Sequence, residues 1–420
     1  MEFLLYSLNY KPELTGIGKY NGDLAQYLVD KKANVTVMTA PPYYPEWKVH
    51  EGFSNKFSAV NDSGVQILRS PLYVPKSVST LKRLLHLSSF ALSSGMRLLS
   101  NLRLKPHVVF LVQPTLFCAP ITLLYCKLTG ALSVMHIQDF EVDAMFGLGM
   151  GKQGLFQRVA RYVESWLLQR FDVVSSISFS MLENARSKGV EEQKLLFFPN
   201  WSDTEFITPE VDGSSIRNDW GYFQDDKVIL YSGNIGQKQG LEVVLDAAKH
   251  FQSDPKVKFL IIGSGAYADT LKMMASNMGL QNLQFKPLQP WEDIPAILSM
   301  ADVHLVVQKK GAADAVLPSK LTNILSVGGH ALVTAELHTE LGKISEKYRN
   351  IYTLVEPENS KAFINALAQL ITLDTRIPNL TARKYAIDNL NKDQVIDRFI
   401  SDLYLHLEKN SEKLGNIHAK

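Results

Sequence analysis

The run FLLYSL at residues 3–8 and the run VTVMTA at residues 35–40 are short and apolar, and Leu24, Tyr27 and Leu28 recur between them at helical spacing. Two such strands around one amphipathic helix predict a β-α-β unit with parallel strands. The alternation continues, with predicted strands at 65–68, 108–112, 133–137 and 172–177 and helices at 80–102, 116–128 and 155–170. Near-continuous apolar strands indicate a sheet covered on both faces.

A second alternating series follows the polar stretch 201–224, which we predict to be a linker. Its predicted strands are 227–232, 257–262, 302–307, 330–334 and 351–355, and its helices are 239–251, 266–278, 319–327 and 360–372. A closing helix at 380–409 is expected to pack across both halves. The sequence thus predicts an α/β protein of two doubly wound parallel-sheet domains, 1–205 and 206–385, with a C-terminal helix and loose tail at 386–420.

Composition excludes several classes of protein. The 420 residues are 46% hydrophobic and 20% charged, as in folded proteins, and the net charge of +2 does not favour nucleic-acid binding. Cys118 and Cys126 predict neither a disulfide framework nor a zinc site, and the absence of Asp-x-Asp and paired histidines predicts no metal site. The acidic start predicts no signal peptide, and Pro114 and Pro120 interrupt the most apolar stretch, so we expect a soluble protein at most resting on a membrane.

Ligands of open α/β sheets bind beyond the carboxyl ends of the strands, so the loops after strands are the first candidates for a site. The loop from Asn9 to Lys19 follows the first strand and holds Gly16 and Gly18 before a helix. Glycines let a ligand approach the backbone, and a helix start favours an anion. The loop lacks the third glycine of a dinucleotide fingerprint, so both an anionic or sugar ligand and a simple turn into the helix stay open.

Two loops of the second half are candidates for binding a diphosphate. The stretch from Ser232 to Gly240 follows a strand and offers three glycines, among them Gly233, beside Asn234 and Lys238. Glycines and a lysine at that position favour a phosphate over a core role. The shorter loop Gly263-Ser264-Gly265 follows the next strand and fits either a nucleotide contact or a structural turn.

The stretch Pro318-Ser319-Lys320 opens a predicted helix that also contains Asn323. Backbone N–H groups, a hydroxyl and an ammonium stand together there, and a lysine at a helix start opposes the helix dipole. An anionic partner for Lys320 would explain this placement. The alternative is an exposed cap with a solvated lysine.

The run HIQDFEVD, from His136 to Asp143, ends a strand of the first half. If the chain stays extended, alternation puts Asp139, Glu141 and Asp143 on one side, and crowded carboxylates have raised pKa values suited to acid–base catalysis. If the chain turns, they are simply solvated. Asp139 is the first candidate for that role, and His136 is a second one that a position inside the strand would bury.

No acidic residue occurs between Asp62 and Asp139, whereas eight lysines and arginines do. Within this stretch, residues 81–104 mix leucines with basic residues, which is typical of a basic amphipathic surface helix. The basic segment 69–105 therefore predicts contact with an anionic membrane surface, and packing of its leucines in the core is the alternative. No motif for nucleic acid accompanies it.

Several long stretches resemble one family of enzymes. NYKPELTGIGKY, HIQDFEVDAM, ILYSGNIGQKQGLE and GAADAVLPSKLTNIL are similar to stretches of the family 4 glycosyltransferases of the GT-B fold, and the likeness extends over nearly the whole chain. The resemblance implies two Rossmann-like domains facing a cleft and transfer of a sugar, with retention at the anomeric carbon, from a nucleotide donor. The implied donor is GDP-fucose, and the implied acceptor is a polyprenyl-diphosphate-linked saccharide at the inner face of the cytoplasmic membrane. No cofactor is expected besides the nucleotide-sugar substrate.

The resemblance also carries site residues. The family's C-domain phosphate loop matches 232–240, but Asn234 and Gln239 stand where the family has Arg and Lys, and its paired glutamates match Ala315 and Asn323. Lys320 thereby becomes the better candidate for neutralising the diphosphate. The predicted catalytic residues are Asp139, His136 and Lys320, and the predicted donor-binding residues are Gly16, Gly18, Gly233, Asn234, Lys238, Gly263, Ser264, Pro318, Ser319 and Asn323.

Two other functions stay open. A nucleotide-sugar epimerase or a phosphorylase would use the same architecture without a lipid acceptor. A non-catalytic scaffold of a polysaccharide assembly complex would explain the missing paired glutamates.

Overall fold

The computed structural model describes residues 1–13, 16–76, 79–143, 154–311 and 318–418, and the chain divides into two compact units. Residues 1–198 and the chain from Ile396 onward form the first unit, and residues 199–395 form the second. Each unit is built around a sheet of mainly parallel strands, which confirms the predicted α/β class. The limits taken from the sequence, at 205/206 and 385/386, stay a prediction.

The first unit contains an eight-stranded sheet in the order β3-β4-β2-β1-β5-β6-β7-β8. Among the described strand pairs of this sheet, only β3 and β4 are antiparallel. The strands are β1 Glu2–Tyr6, β2 Asn34–Thr39, β3 Ser58–Asp62, β4 Val65–Arg69, β5 Val108–Gln113, β6 Leu132–Ile137, β7 Val173–Ser176 and β8 Leu195–Phe197. Among the described residues before 199, the α-helices are α1 Ile17–Asp30, α2 Thr80–Ser100, α3 Ala119–Thr129, α4 Leu155–Leu168 and α5 Phe179–Ser187.

The order of the strands decides which face each helix covers. The connections through α2, α3, α4 and α5 all advance from β4 and β5 towards β8, whereas α1 connects β1 to β2 in the opposite direction. Crossovers between parallel strands are right-handed, so α2 to α5 lie on one face of this sheet and α1 on the other. Tyr6 on β1 contacts Phe90 and Ser94 of α2, in agreement with this layering.

The C-terminal helix completes the core of the first unit. The ring of Phe399 stacks on that of Phe198 at 3.9 Å and lies 5.7 Å from that of Phe110 on β5. Phe399 is 1% exposed. The closing stretch 380–409 was predicted as one helix, which is wrong: α13 Leu380–Leu390 and α14 Lys392–His418 are separated at Asn391, whose ψ of 124° is not helical.

The second unit contains a six-stranded, fully parallel sheet in the order β11-β10-β9-β12-β13-β14. The strands are β9 Lys227–Ser232, β10 Val257–Ile262, β11 Leu283–Lys286, β12 Val303–Val306, β13 Ala331–Thr334 and β14 Thr353–Val355. Besides α13, the α-helices in the described part of this unit are α6 Ser214–Asp219, α7 Glu242–His250, α8 Ala268–Asn277, α9 Ile294–Ser299, α10 Ser319–Ser326, α11 Glu340–Lys347 and α12 Ser360–Leu370. Separate apolar clusters, one around Leu260 and Leu321 and one around Ile261 and Phe363, cover the sheet.

The stretch 201–224 is not a linker, which corrects the prediction from its polar composition. Trp201, Ile207 and Tyr222 are buried, and α6 lies within it. Arg217 of α6 donates to the carbonyl of Met300 and, at 3.1 Å, to the carboxylate of Asp302. The stretch is therefore part of the fold of the second unit.

Phe399→Ala is expected to destabilise the first unit by roughly 3–5 kcal/mol, because it removes a buried ring that stacks on Phe198. Tyr404→Ala on the same helix is the matched control, since Tyr404 is 48% exposed and its replacement is expected to change stability by about 0.5 kcal/mol or less. Urea unfolding of both variants measures this. Equal effects of the two substitutions would contradict the packing of this helix.

Candidate functional site

The carboxyl ends of β9 and β12 form the first candidate site, in the second unit. The strand order reverses between these neighbours, because β10 and β11 lie on one side of β9 and β12 to β14 on the other. Crevices at such a reversal are where open α/β sheets bind ligands. The loop after β9 contains Gly233 to Gly240, and α10 with Lys320 follows β12.

Backbone packing around Gly233 and Gly263 gives this edge its shape. The N–H of Gly233 donates to the carbonyl of Ile262 at 2.9 Å, and the N–H of Ile235 donates to that of Ser264 at 2.8 Å. A Cβ atom on Gly263 would lie 1.9 Å from the carbonyl oxygen of Gly233, and one on Gly265 would lie 2.3 Å from that of Ile235. Glycine is therefore required for the two loops to approach each other.

Lys320 projects to the same place. Its Nζ lies 3.7 Å from the centre of the Tyr231 ring, and a Cβ on Gly233 would lie 2.9 Å from that Nζ. Within the described part of the chain Lys320 makes no ion pair, and burial lowers the pKa of its amine to about 7. An ammonium without an acidic partner beside a glycine loop favours an anionic ligand.

The other predicted donor residues of the second unit lie on the same loops and at the start of α10. Asn234 and Ser264 are exposed on the paired loops. Lys238 is also exposed, and its carbonyl accepts from the N–H of Lys309 at 2.9 Å. Pro318 and Ser319 stand at the start of α10.

Asn323 is directed elsewhere. Its Oδ1 accepts a hydrogen bond from Ser202 Oγ at 2.9 Å. Ala315, which the resemblance matches to one of the missing glutamates, lies outside the described residues. Neither position has a carboxylate in the sequence, since one is alanine and the other asparagine.

A concavity of about 360 Å³ adjoins the glycine loops. It is lined by Gly263 to Gly265, by Lys272 of α8, and by Phe285, Lys286 and Pro287 at the end of β11. An aromatic side chain, two lysines and open backbone groups are suited to a nucleotide. The sequence analysis did not identify Lys272 or Lys286.

The second candidate site lies at the corresponding edge of the first unit, where the strand order reverses between β1 and β5. A pocket of about 240 Å³ is bounded there by Asn9 and Gly16 after β1, by Trp47 after β2, by Arg83 of α2 and by Pro114 after β5. Its wall is mostly apolar and aromatic. The ring of Tyr43 lies 5.6 Å from Trp47 and 4.8 Å from His86.

Glu13 holds the loops of this pocket together. Its Oε1 accepts from the N–H groups of Tyr43 and Tyr44 at 2.9 and 3.0 Å, and its Oε2 accepts from Asn9 Nδ2 at 2.8 Å. A Cβ on Gly18 would lie 2.9 Å from Glu13. Gly18 thus makes room for a buried carboxylate, whose pKa is raised by burial, whereas Gly16 lines the pocket itself.

His136 lies inside β6 and is 3% exposed. Its Nδ1 lies 3.0 Å from Ser175 Oγ and its Nε2 lies 3.0 Å from Gln138 Nε2, so both ring nitrogens have partners. Burial lowers the pKa of its imidazole to about 3. A neutral, packed histidine of this kind is suited to the core of the sheet.

The three carboxylates after β6 diverge, because the chain bends at Gln138 and Asp139 and begins a helical turn at 141–143. The extended arrangement considered for them is therefore wrong. Asp139 is exposed. Asp143 pairs with Lys188 at 2.9 Å and with Arg161 at 3.6 Å, and these partners outweigh its burial, so its pKa is lowered.

Glu141 differs from Asp143 in that its pKa is raised. Its Oε2 accepts from the N–H of Leu116 at 2.9 Å, and its buried Oε1 has no hydrogen-bond partner among the described residues. Burial, with a smaller contribution from the charge of Asp139, raises the pKa of Glu141 to about 7. The sequence identified the cluster, but only the tertiary structure shows that Glu141 is desolvated and that Asp143 is paired with cations.

The basic segment 69–105 is only partly exposed. Arg69 is 7% exposed and donates to the carbonyls of Ala40 and Lys11, and Arg97 donates to the carbonyl of Arg69. Lys76, Arg103 and Lys105 are exposed, as are four apolar side chains of α2, Leu81, Leu85, Leu92 and Met96. No helix in the described residues is both long and apolar enough to cross a bilayer.

Comparison with known proteins identifies the family. The chain is 48% identical over 408 residues to an Escherichia coli (strain K12) chain named as a colanic acid biosynthesis glycosyl transferase, WcaI. The aligned residues make up 96% of this chain and 100% of the relative. The chain belongs to the group 1 glycosyltransferases. Residues 213–389 match the family model "Glycosyl transferases group 1", and residues 15–201 match "Glycosyl transferase 4-like domain".

More distant relatives of this glycosyltransferase are also similar to it. A "GDP-mannose-dependent monoacylated alpha-(1-6)-phosphatidylinositol monomannoside mannosyltransferase" of Corynebacterium glutamicum is 26% identical over 135 residues, 31% of this chain and 35% of that one. Among solved structures, sucrose-phosphate synthase from Thermosynechococcus elongatus has a TM-score of 0.74 at 14% identity over 97% and 99% of the two chains. Anabaena HepE in complex with UDP-glucose has a TM-score of 0.69 at 14% identity, covering 96% and 99%. These structural likenesses confirm the GT-B fold.

Glu141→Gln tests the perturbed carboxyl group. The pKa of about 7 lies above the ordinary value of about 4.3, so the unfolded state releases this proton first and the stability of the wild-type protein falls as pH rises through that window. The amide variant does not titrate, so its melting temperature is expected to exceed that of the wild type at pH 8 and to approach it near pH 5. Glu51→Gln, at an exposed position, is the control, and identical wild-type and Glu141→Gln profiles would contradict this account.

Proposed function

We propose that this glycosyltransferase transfers a sugar, with retention, from a nucleoside diphosphate sugar to a lipid-linked intermediate of an exopolysaccharide. The observation that carries the proposal is Lys320, whose amine faces Gly233 without an ionic partner in the described chain. A diphosphate would supply the missing negative charge. The backbone N–H groups at the start of α10 would add to its stabilisation.

The reaction needs a stabilised leaving group. As the glycosidic bond breaks, negative charge develops on the diphosphate, and groups already aimed at that charge lower the barrier most. Lys320 is proposed to bind the diphosphate oxygens, while the loops at Gly233 and Gly263 let them approach the backbone. Lys238, exposed on the same loop, is proposed as a second cation.

The acceptor hydroxyl is proposed to lose its proton late, to the departing phosphate. A strong protein base is then unnecessary, and we assign no proton transfer to His136, which is neutral and packed. Asp139 is exposed after β6 and stays the candidate for orienting the acceptor hydroxyl. The transfer is proposed to be independent of a metal ion.

GDP-fucose is the proposed donor, with its base in the concavity beside Gly263, Lys272 and Lys286. Two relatives that match 31% of this chain are named GDP-mannose-dependent mannosyltransferases. Their names support a guanine base in the donor. HepE, which shares the fold, binds UDP-glucose. The fold therefore accommodates different bases, and the base must be measured.

The acceptor is proposed to bind in the aromatic pocket of the first unit, where Trp47 and Tyr44 offer faces for a sugar ring and Arg83 a positive charge. The relative named for colanic acid biosynthesis supports a polyprenyl-diphosphate-linked unit of that polysaccharide as the substrate. The exposed basic residues of the segment 69–105 are proposed to hold the enzyme at the inner face of the cytoplasmic membrane. The lipid-linked acceptor would be presented there.

Nucleotide binding is the first measurement. GDP and GDP-fucose, without magnesium, are expected to raise the melting temperature more than UDP, ADP or their sugar conjugates, because a ligand at about 100 times its dissociation constant stabilises the bound fold by about 2.7 kcal/mol. Preferential binding of UDP sugars would contradict the donor, and dependence on magnesium would contradict metal independence. Absence of any nucleotide binding would contradict the transferase and favour the scaffold.

The role of Lys320 predicts a pH dependence. With a pKa of about 7 in the unliganded protein, the amine is charged below that pH and neutral above it, so the dissociation constant for GDP-fucose is expected to rise by up to about tenfold per pH unit above pH 7. The diphosphate diester of the donor does not itself titrate there. Calorimetry between pH 6 and 9 measures the profile.

Lys320→Arg and Lys320→Met are the matched variants. Arginine stays charged over this range, so its profile is expected to be flat, whereas methionine removes the charge and is expected to bind weakly at every pH. A wild-type profile that stays flat, or a methionine variant with normal turnover, would exclude the assigned role.

A further inference from the structure

Helix α4 has an apolar outer surface. Leu155 is 78% exposed, Tyr162 70%, Val159 50%, Val163 43% and Trp166 42%. At 100° per residue these five positions fall within about 100° of the helix circumference. Surface helices normally place charged and polar residues outward. The outward side of α4 departs from that pattern.

The opposite side of α4 attaches the helix to the first unit. Leu167 is 3% exposed, and Leu168 and Glu164 are fully buried. The Glu164 carboxylate pairs with Lys188, which also pairs with Asp143 at 2.9 Å. Since these contacts fix the rotation of the helix, the apolar stripe cannot turn into the core.

Basic side chains border the stripe along one edge and at its C-terminal end. Arg158 lies about 40° outside the edge at Tyr162, Arg161 lies further round on the same side, and Arg170 follows the last residue of α4, Leu168. All three are exposed. The Arg170 guanidinium stacks on the Trp166 ring at 3.6 Å, and Arg161 lies 3.6 Å from Asp143. The only acidic residue of α4 is the buried Glu164. The outer surface of α4 is thus apolar, with positive charge along one edge and at its C-terminal end.

We propose that α4 is a membrane-contact helix, which lies in the headgroup region of an anionic bilayer with its apolar stripe inserted. Helices that lie in this region combine a large apolar face with arginines that reach lipid phosphates, and tryptophan and tyrosine are enriched at that depth. The positive margin selects an anionic surface rather than an uncharged protein groove. The inference deepens the membrane part of the proposed function and locates a contact outside the segment 69–105.

Neighbouring helices extend the surface. Right-handed crossovers place α2, α3, α4 and α5 on one face of the first unit's sheet. Each of the others adds exposed apolar side chains to that face: Leu81, Leu85, Leu92 and Met96 on α2, Leu124 and Leu128 on α3, and Phe179 on α5. Arg69 and Arg97 of the segment 69–105 are held inside by backbone carbonyls. The exposed arginines beside the stripe therefore add to the positive charge that Lys76, Arg103 and Lys105 leave exposed.

Flotation of the full-length protein with lipid vesicles tests the inference. The wild type is expected to bind phosphatidylglycerol-rich vesicles and to bind pure phosphatidylcholine poorly. The triple variant Leu155→Gln, Val159→Gln, Tyr162→Gln is expected to lower the partition coefficient by about tenfold or more, because it withdraws apolar area from the interface. Arg158→Glu is expected to weaken binding to the anionic vesicles only.

The matched control is Phe223→Gln, Leu337→Gln, Leu380→Gln, which removes three equally exposed apolar side chains from the second unit. It is expected to bind vesicles like the wild type. The melting temperature and GDP-fucose binding of every variant are measured in parallel, so a failure of the transferase proposal is seen separately from a failure of membrane contact. Because all these side chains are exposed, the variants are expected to fold.

Three results would overturn the inference. The first is a wild type that floats with neither vesicle, the second is an α4 triple variant that floats like the wild type, and the third is a wild-type oligomer in light scattering that is absent from the triple variant. The second result would leave membrane contact to the segment 69–105. The third would make the stripe of α4 an interface between protein chains.

Discussion

The parallel alignment of the strands is the constraint on which both candidate sites depend. Parallel strands end at a common edge, so loops far apart in sequence meet there, as the loop at Gly233 and α10 at Lys320 do in the second unit. The strand order reverses in the middle of each sheet, which leaves a crevice between neighbouring loops. In the second unit glycine backbone lines this crevice, and in the first unit aromatic side chains do.

Burial makes the electrostatics of the two edges different. The Lys320 amine is desolvated without a carboxylate partner in the described chain, so its charged form depends on an anionic ligand. Glu13 is buried too, but three N–H donors satisfy its carboxylate, and its function is to hold loops together. Glu141 is intermediate between Lys320 and Glu13, because one of its carboxylate oxygens accepts a hydrogen bond and the other has no hydrogen-bond partner among the described residues. A shifted pKa alone therefore does not identify a ligand-binding site. A buried charged group that lacks a partner does.

Two faces of the first unit's sheet carry different surfaces. On one, α14 inserts Phe399 against Phe198 and Phe110 and completes the core. On the other, α4 shows apolar residues outward while Glu164 and Leu168 fix it from below. Stability requires the first arrangement, but it does not require an outward Tyr162 or Leu155. Exposed apolar area of this extent favours a binding surface.

The sequence by itself determined the two parallel-sheet domains, most of their strands, the family and the loops at Gly233 and Gly263, because alternating apolar runs and glycines record local backbone requirements. It missed the short or polar strands β3, β8 and β11 and joined α13 to α14, since edge strands bury little and Asn391 is not a strong breaker. Only the tertiary structure decided that Lys320 faces Gly233, that burial raises the pKa of Glu141, that Arg69 points inward and that the stripe of α4 points outward. Those properties depend on which residues distant in sequence exclude water from a side chain, and sequence spacing contains no record of that.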